Sequence, residues 1–207
     1  MKVIVMTCDK YRWLVPIFAH FYQKQWPVRE YSTAYVTETA PVGRTNTYYA
    51  GVLSWVDRIH KYLNTIKDES FMLLVEDYIF RKPINTSIIE RAVDLCKGDI
   101  GCVRLQPHDH QSIHLIDSGI PGFKQYPLDA PYSISLQASI WQKEFFFEFT
   151  RQGENVWQTE IEGSKRVRAS KKHVLWTDTP AMDYVPHGYM QKGIVDKSVE
   201  KWVKENW

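Results

Sequence analysis

The chain has 207 residues, 44% of them hydrophobic, enough to bury one substantial core without a disulfide or metal staple. A net charge of +2 and a pI near 8.3 are too mild for a global nucleic-acid footprint, so any case for DNA must rest on a local cluster. The three cysteines, Cys8, Cys96 and Cys102, lack metal-ligand spacing and suit reduced thiols in a cytoplasmic protein; no secretory leader and no membrane span is expected.

Val3 to Met6 predict a buried first strand, and Tyr11 to Gln25 a helix with Leu14, Ile17, Phe18 and Phe21 on one face. Tyr31 to Thr37 predict a second strand, followed by a loop from Thr39 to Thr47 rich in Pro, Gly, Thr and Asn. A long helix is expected over Tyr48 to Ile66, where Val52, Val56, Ile59, Leu63 and Ile66 recur at spacings of three and four. Phe71 to Val75 is a continuous apolar run that suits a strand covered on both faces. A helix over Thr86 to Cys96 and a strand over Ile100 to Leu105 continue the alternation, which implies a mostly parallel sheet with right-handed crossovers. The remainder predicts a long loop from Gln106 to Pro131, a strand over Tyr132 to Leu136 and an aromatic helix over Ile140 to Thr150. A mixed-charge helix over Val156 to Arg168, an edge strand over His173 to Trp176 and a terminal helix over Lys197 to Glu205 complete it.

The third strand ends abruptly in Glu76-Asp77, and ligands of open α/β sheets collect just beyond the carboxyl ends of such strands. Two acids at that edge can hold a cation that neutralises a diphosphate. Successive residues of an extended chain point to opposite sides, so Asp77 is assigned to the metal and Glu76 to ribose, water or backbone. Capping of the following turn is the competing explanation. Three further blocks accompany this edge: Val5-Met6-Thr7-Cys8-Asp9-Lys10-Tyr11 after the first strand, Ser135-Leu136-Gln137-Ala138-Ser139-Ile140-Trp141, and Gly153 to Glu160 followed by Gly163-Ser164-Lys165-Arg166. A last block runs through Tyr184-Val185-Pro186-His187-Gly188 to Lys192-Gly193.

Taken together, these blocks resemble a bacterial and phage family of small nucleotide-sugar glycosyltransferases with the GT-A type of fold. The resemblance implies one Rossmann-like α/β domain over 1–207, with a mostly parallel central sheet flanked by helices. Residues 1–105 would form the nucleotide-sugar half and 106–207 the acceptor half. It also implies transfer of a sugar from a nucleotide-diphosphate donor, expected to be a UDP-sugar, to an acceptor hydroxyl with Mn²⁺ or Mg²⁺, ions that suit carboxylate oxygens. Glu76-Asp77 departs from the Asp-x-Asp spacing common in this fold. His187 is a candidate second metal ligand beside Asp77, and Lys192 a candidate contact to the diphosphate.

Thr7, Cys8, Asp9 and Tyr11, with Thr37 and Glu38 at the end of the second strand, are expected around the base and ribose, and Arg44 near phosphate. Helix capping by Asp9 and solvent exposure of Arg44 are their competing roles. Trp157 and Glu160 share a helix face, an aromatic sugar platform beside a carboxylate; Glu160 is the first choice for general base, with Glu154 and Glu162 as substitutes. The alternative for Glu160 is an ion pair with Lys165 or Arg166. Gln137 and Trp141 are expected to line the acceptor pocket, and His108, Asp109, His110 and His114 to touch acceptor rather than zinc. The basic run containing Lys165, Arg166, Arg168, Lys171 and Lys172 leaves two acceptors open, a saccharide or lipid-linked glycan and a hydroxymethylated pyrimidine in phage DNA. Nucleotidyl transfer, or a non-catalytic module that binds sugar nucleotides or nucleic acid, are the alternative functions; the first would call for a Gly-rich phosphate loop where Thr7-Cys8-Asp9-Lys10-Tyr11-Arg12 stands.

Overall fold

Apolar residues of the first strand alternate between two cores, and this decides the architecture. In the computed structural model, which describes residues 1–107, 112–185, 187–191 and 193–207, strand β1 (Lys2–Met6) sends Val3 and Val5 to one side and Ile4 and Met6 to the other. Strand β4 (Ser70–Val75) does the same with Met72 and Leu74 against Phe71 and Leu73. Helices therefore cover both faces of the sheet, as its continuous apolar runs demand. Helices α1 (Leu14–Gln25), α3 (Thr86–Leu95) and α6 (Lys197–Asn206) pack on the first core; α2 (Trp55–Leu63), α4 (Lys143–Phe149) and α5 (Val156–Arg166) pack on the second.

The described residues form a nine-stranded sheet in the order β3-β2-β1-β4-β8-β5-β9-β7-β6. Strands β2 (Thr33–Thr37) and β3 (Thr47–Tyr49) extend β1 and β4 in parallel. Strand β8 (Ser139–Gln142) is inserted antiparallel between β4 and β5 (Ile100–Arg104), and β9 (His173–Thr177) pairs parallel with β5. Strands β7 (Phe123–Tyr126) and β6 (Ile116–Asp117) close the far edge antiparallel, while β10 (Met190–Gln191) and β11 (Ile194–Val195) form a separate hairpin. The fold is thus mixed α/β with a sheet parallel around β1, as expected. No helix among the described residues is long and apolar enough to cross a membrane.

Helix starts follow side-chain chemistry. Ser54 caps α2 by accepting from Asp57 N, Asn85 caps α3, Asn155 and Gln158 form a reciprocal capping box on α5, and Asp196 caps α6. Pro16 is accommodated in the first turn of α1, where a missing N–H breaks no intrahelical bond.

Several expected boundaries moved. The helix expected from Tyr48 begins at Trp55, because Thr47, Tyr48 and Tyr49 pair with β2 and Gly51, at φ 94°, turns the chain toward the Ser54 cap. The long loop after Gln106 contains β6 and β7, and β9 is consequently internal rather than an edge. Tyr132 to Leu136 is not a strand; Tyr132 itself sits at φ 53°. The strand lies at Ser139–Gln142, expected as the start of the aromatic helix, because Ile140 and Trp141 must reach opposite cores. Helix α4 then supplies Phe145, Phe146 and Phe149 to the second core.

Candidate active site

The exits of β1 and β4 open onto a cleft of about 590 Å³. Its floor carries Thr7 and Cys8 from β1 and Glu76 and Asp77 from β4; Trp55 and Arg58 enter from α2. Gln137 from the loop before β8, Trp157 and Glu160 from α5, and His187, Met190, Gln191 and Gly193 from the C-terminal segment complete the walls, with Tyr11. Both sequence halves therefore build one site.

Glu76 is 4% exposed, and burial together with the neighbouring Asp77 charge pushes its carboxyl well above the ordinary range, with Arg58 opposing. Burial likewise lifts Asp77 to about 7, against the Met190 N–H that favours its anion. Neither acid forms an ion pair among the described residues. Gly188 packs directly on Asp77: a Cβ added there would lie 2.2 Å from Oδ2, and φ is 73°, so this position requires glycine for two independent reasons. The two adjacent buried acids share the cleft with a single nearby arginine, Arg58, and bring carboxyl oxygens to one wall.

Glu160 is held on the opposite wall. Its Oε1 accepts from Leu136 N at 2.7 Å, and burial raises its pKa, opposed by that N–H and the Ser135 hydroxyl. Beside it, Trp157 is 67% exposed, a ring without protein cover. Gln137 is oriented by a chain of donors. Ala138 N donates to Tyr184 Oη, which donates to Gln137 Oε1 at 2.8 Å, so the amide turns its NH₂ away from Tyr184. Tyr78 stacks on Tyr184 with centroids 4.3 Å apart and donates to Leu136 O, fixing the same loop.

Sequence reasoning missed Arg58, and it named Tyr184 and Gly188 in a block without giving them a role. Arg58 is 5% exposed, donates to Thr7 O, and has an Nε without a hydrogen-bond partner. It shares the buried face of α2 with Val56, Ile59 and Leu63, so its local trace is a charge that interrupts the apolar stripe.

Other expected site residues lie elsewhere. Asp9 serves the loop after β2: its carboxylate accepts from Thr39 N, Thr39 Oγ1 and Ala40 N, and the Thr39 hydroxyl first, then Ala40, holds its pKa low. Glu38 accepts from Asp9 N, and Thr37 is fully buried, so this trio fastens the wall rather than lining the cleft. Arg44 lines a different concavity. Trp141 does not line the cleft; it is fully buried against Phe145, Phe146 and Phe149, since every second residue of β8 must face the second core. Glu154 is engaged by Arg166, whose NH2 lies 2.8 Å from both carboxylate oxygens, and Lys165 pairs with Glu162 at 2.7 Å. Those pairs take Glu154, Glu162, Lys165 and Arg166 out of the cleft. Lys172 donates to Gly98 O and Gln142 Oε1, while Arg168 and Lys171 of the basic run are exposed. His108, Asp109, His110 and Lys192 lie outside the described residues. Among the described residues no group of three or more His, Cys, Asp and Glu gathers as a metal set; the protein offers an acid pair and His187 on the same cleft.

No family model and no curated protein matches the chain. Solved structures do. The fold matches CMP:2-keto-3-deoxy-manno-octonic acid synthetase complexed with CTP at a TM-score of 0.61 and 11% identity, over 99% of this chain and 97% of that one. It matches a cytidylyltransferase from Leptospira borgpetersenii serovar Hardjo-bovis (strain JB197) at 0.51 and 9%, over 99% and 94%. Galactosyltransferase LgtC in complex with donor and acceptor sugar analogs aligns at 0.49 and 9%, over 99% and 94%. The first two establish a mixed α/β, Rossmann-like fold for this chain.

Proposed function

We propose that the chain is a glycosyltransferase that moves a sugar from a nucleotide-diphosphate donor, a UDP-sugar, to a saccharide hydroxyl. The observation that carries this is the pairing, across one cleft, of the unpaired acids Glu76 and Asp77 with Glu160 beside the exposed ring of Trp157. The first half of the chain would hold the donor and the second the acceptor.

Asp77 and Glu76, with His187, are the residues that would hold Mn²⁺ or Mg²⁺. Such ions often take only one or two carboxylates and complete their shell with phosphate oxygens and water. When bound, the ion would neutralise the charge that grows on the departing diphosphate. Thr7, Cys8 and Tyr11 border the base and ribose side, and Glu38 and Asp9 keep that wall closed. Trp157 offers the apolar face on which a sugar ring stacks. Glu160 takes the acceptor proton, and burial raises its pKa, which strengthens it as a base. The Leu136 N–H and the Ser135 hydroxyl hold the carboxyl in place on the cleft wall. Gln137, with its carbonyl committed to Tyr184, presents N–H donors to a sugar oxygen.

The engagement of Arg166 by Glu154 and of Lys172 by Gly98 O leaves Lys165, Arg168 and Lys171 as the more exposed bases of the run, and none of the five lines the cleft, which supports a saccharide over DNA as acceptor. Against nucleotidyl transfer, β1 leads into residues 7–12 without glycine, and Asp9 is locked to the next loop. The test is thermal stabilisation by a panel of nucleotide sugars with and without Mn²⁺, followed by product analysis with wild type and Asp77→Ala. Release of nucleoside diphosphate that depends on saccharide and disappears in Asp77→Ala supports the proposal. Pyrophosphate release from a nucleoside triphosphate, or unchanged turnover in the variant, overturns it.

A further inference from the structure

A second concavity, of about 450 Å³, lies where β2 and β3 begin, behind the end of α1. The donor cleft sits at the opposite ends of the strands. Five residues of β2 separate the two levels, roughly 15 Å at the rise of an extended chain. Arg44 was read from the sequence as a donor phosphate contact, yet it lines this rear concavity together with Arg29, Tyr31, Tyr35, Thr33 and Asn46.

From these walls we infer that the rear concavity is a separate binding site for a phosphate monoester carried on a sugar or nucleoside. Three features support this. First, two arginines line the space and neither forms an ion pair among the described residues. Second, Arg29 is preorganised: NH1 donates to Gln23 Oε1 at 2.9 Å and to Trp26 O at 2.8 Å, and its guanidinium lies 4.5 Å from the centroid of Tyr22. NH1 is thereby committed and the group also bonds the Tyr22 hydroxyl, so the guanidinium is held in one orientation at the wall of the concavity. Third, both guanidinium charges act on Tyr35, which places them around one phenol at the inner wall.

The remaining walls define the rest of the ligand. Tyr31 lies in the field of Glu90, Glu30 and Asp94, so the anion is confined to the side of Arg29, Tyr35 and Arg44. The Tyr31 ring, Thr33 and Asn46 then border a neutral, hydroxyl-rich moiety. A concavity of this size exceeds what inorganic phosphate fills and suits a phosphorylated ring.

The experiment is equilibrium dialysis of the full chain with inorganic phosphate, glucose 1-phosphate and uridine monophosphate, at fixed ionic strength, with Mn²⁺ and with chelator. It uses wild type, Arg44→Ala, Arg44→Lys and Asp77→Asn. Arg44 is exposed in a loop, so these changes leave the fold intact, which circular dichroism would verify. Binding of a sugar phosphate or the nucleotide that is tighter than that of phosphate, weakened at least about tenfold in Arg44→Ala, and kept in Asp77→Asn, supports the site. The ligand that binds tighter identifies the carrier. Binding that Asp77→Asn abolishes would belong to the front cleft and overturn the inference, as would equal affinity in wild type and Arg44→Ala, or no saturable binding at millimolar ligand.

Discussion

Replacing Asp77 by asparagine separates the electrostatics of the cleft from its shape. The folded protein holds this carboxyl at about 7 instead of 3.8. As pH rises from 4, the unfolded chain loses that proton first, so the folded state binds more protons and stability falls until about pH 7, after which this contribution is flat. At 1.36 kcal/mol per unit, a rise of this size corresponds to a ceiling of about 4 kcal/mol. Asparagine keeps the volume and cannot ionise, so Asp77→Asn should be more stable than wild type at pH 7.5 without metal. A realised half of the ceiling, about 2 kcal/mol, is worth about 4–8 °C at this chain length. Glu76 retains its own share of the slope, and loses the part of its rise caused by the Asp77 charge. The assay is thermal unfolding of both proteins from pH 4.5 to 8, with chelator and then with Mn²⁺ and uridine diphosphate. Wild type should regain stability with the additions, and the variant should gain far less. Parallel pH profiles for the two proteins, or a variant less stable at pH 7.5, would refute the assignment of a frustrated charge at the exit of β4.

The other predictions concern the residues that shape the same cleft. Gly188→Ala meets both a left-handed φ and the Asp77 carboxylate, so it should cost at least about 1–2 kcal/mol in chemical denaturation and abolish Mn²⁺-dependent nucleotide binding by calorimetry. Glu160→Gln still accepts from Leu136 N, so the fold should stand while transfer falls by about 10²–10⁴-fold and the acid limb of its pH profile disappears. Tyr184→Phe leaves Ala138 N buried without an acceptor and should cost about 1–3 kcal/mol in urea unfolding, with a raised KM for acceptor as Gln137 loses its orientation.

The fold was legible where local pattern and tertiary demand agree. The runs in β1 and β4 are apolar on both faces because helices cover both faces, and the acids at the exit of β4 stand out against that background. Strand β8 was not legible. Its residues run on into the aromatic stretch 145–149, and periodicity alone does not divide a four-residue insertion from the helix that follows. The extra strands β3, β6 and β7 are two to four residues long, and pairing with a neighbour already in place, not intrinsic preference, makes them strands.

The candidate site divides along the same physical line. Glu76, Asp77, Trp157 and Glu160 were visible because acids at a strand exit and an aromatic beside an acid on one helical face are local arrangements. Trp141 left its expected place on the acceptor wall, and Arg58, for which the sequence raised no expectation, lines the cleft, for reasons that no local pattern carries. Strand alternation sends Trp141 inward from β8, whereas α2 presents Arg58 to the carbonyl of Thr7, 51 residues earlier, beside the buried acids. Gly188 is the extreme case: its constraint is set by a carboxylate 111 residues before it, and nothing in its own segment announces that the chain must pass within contact of Asp77. A cleft assembled from chain segments so distant depends on residues 187–191 reaching the exit of β4, where Tyr189 N donates to Asp77 O and Gly188 packs on the carboxylate. That contact acts on the Asp77 charge in two opposing ways: burial disfavours the anion while the Met190 N–H favours it, so the segment that encloses the carboxyl also supplies the donor that partly offsets the cost of enclosing it.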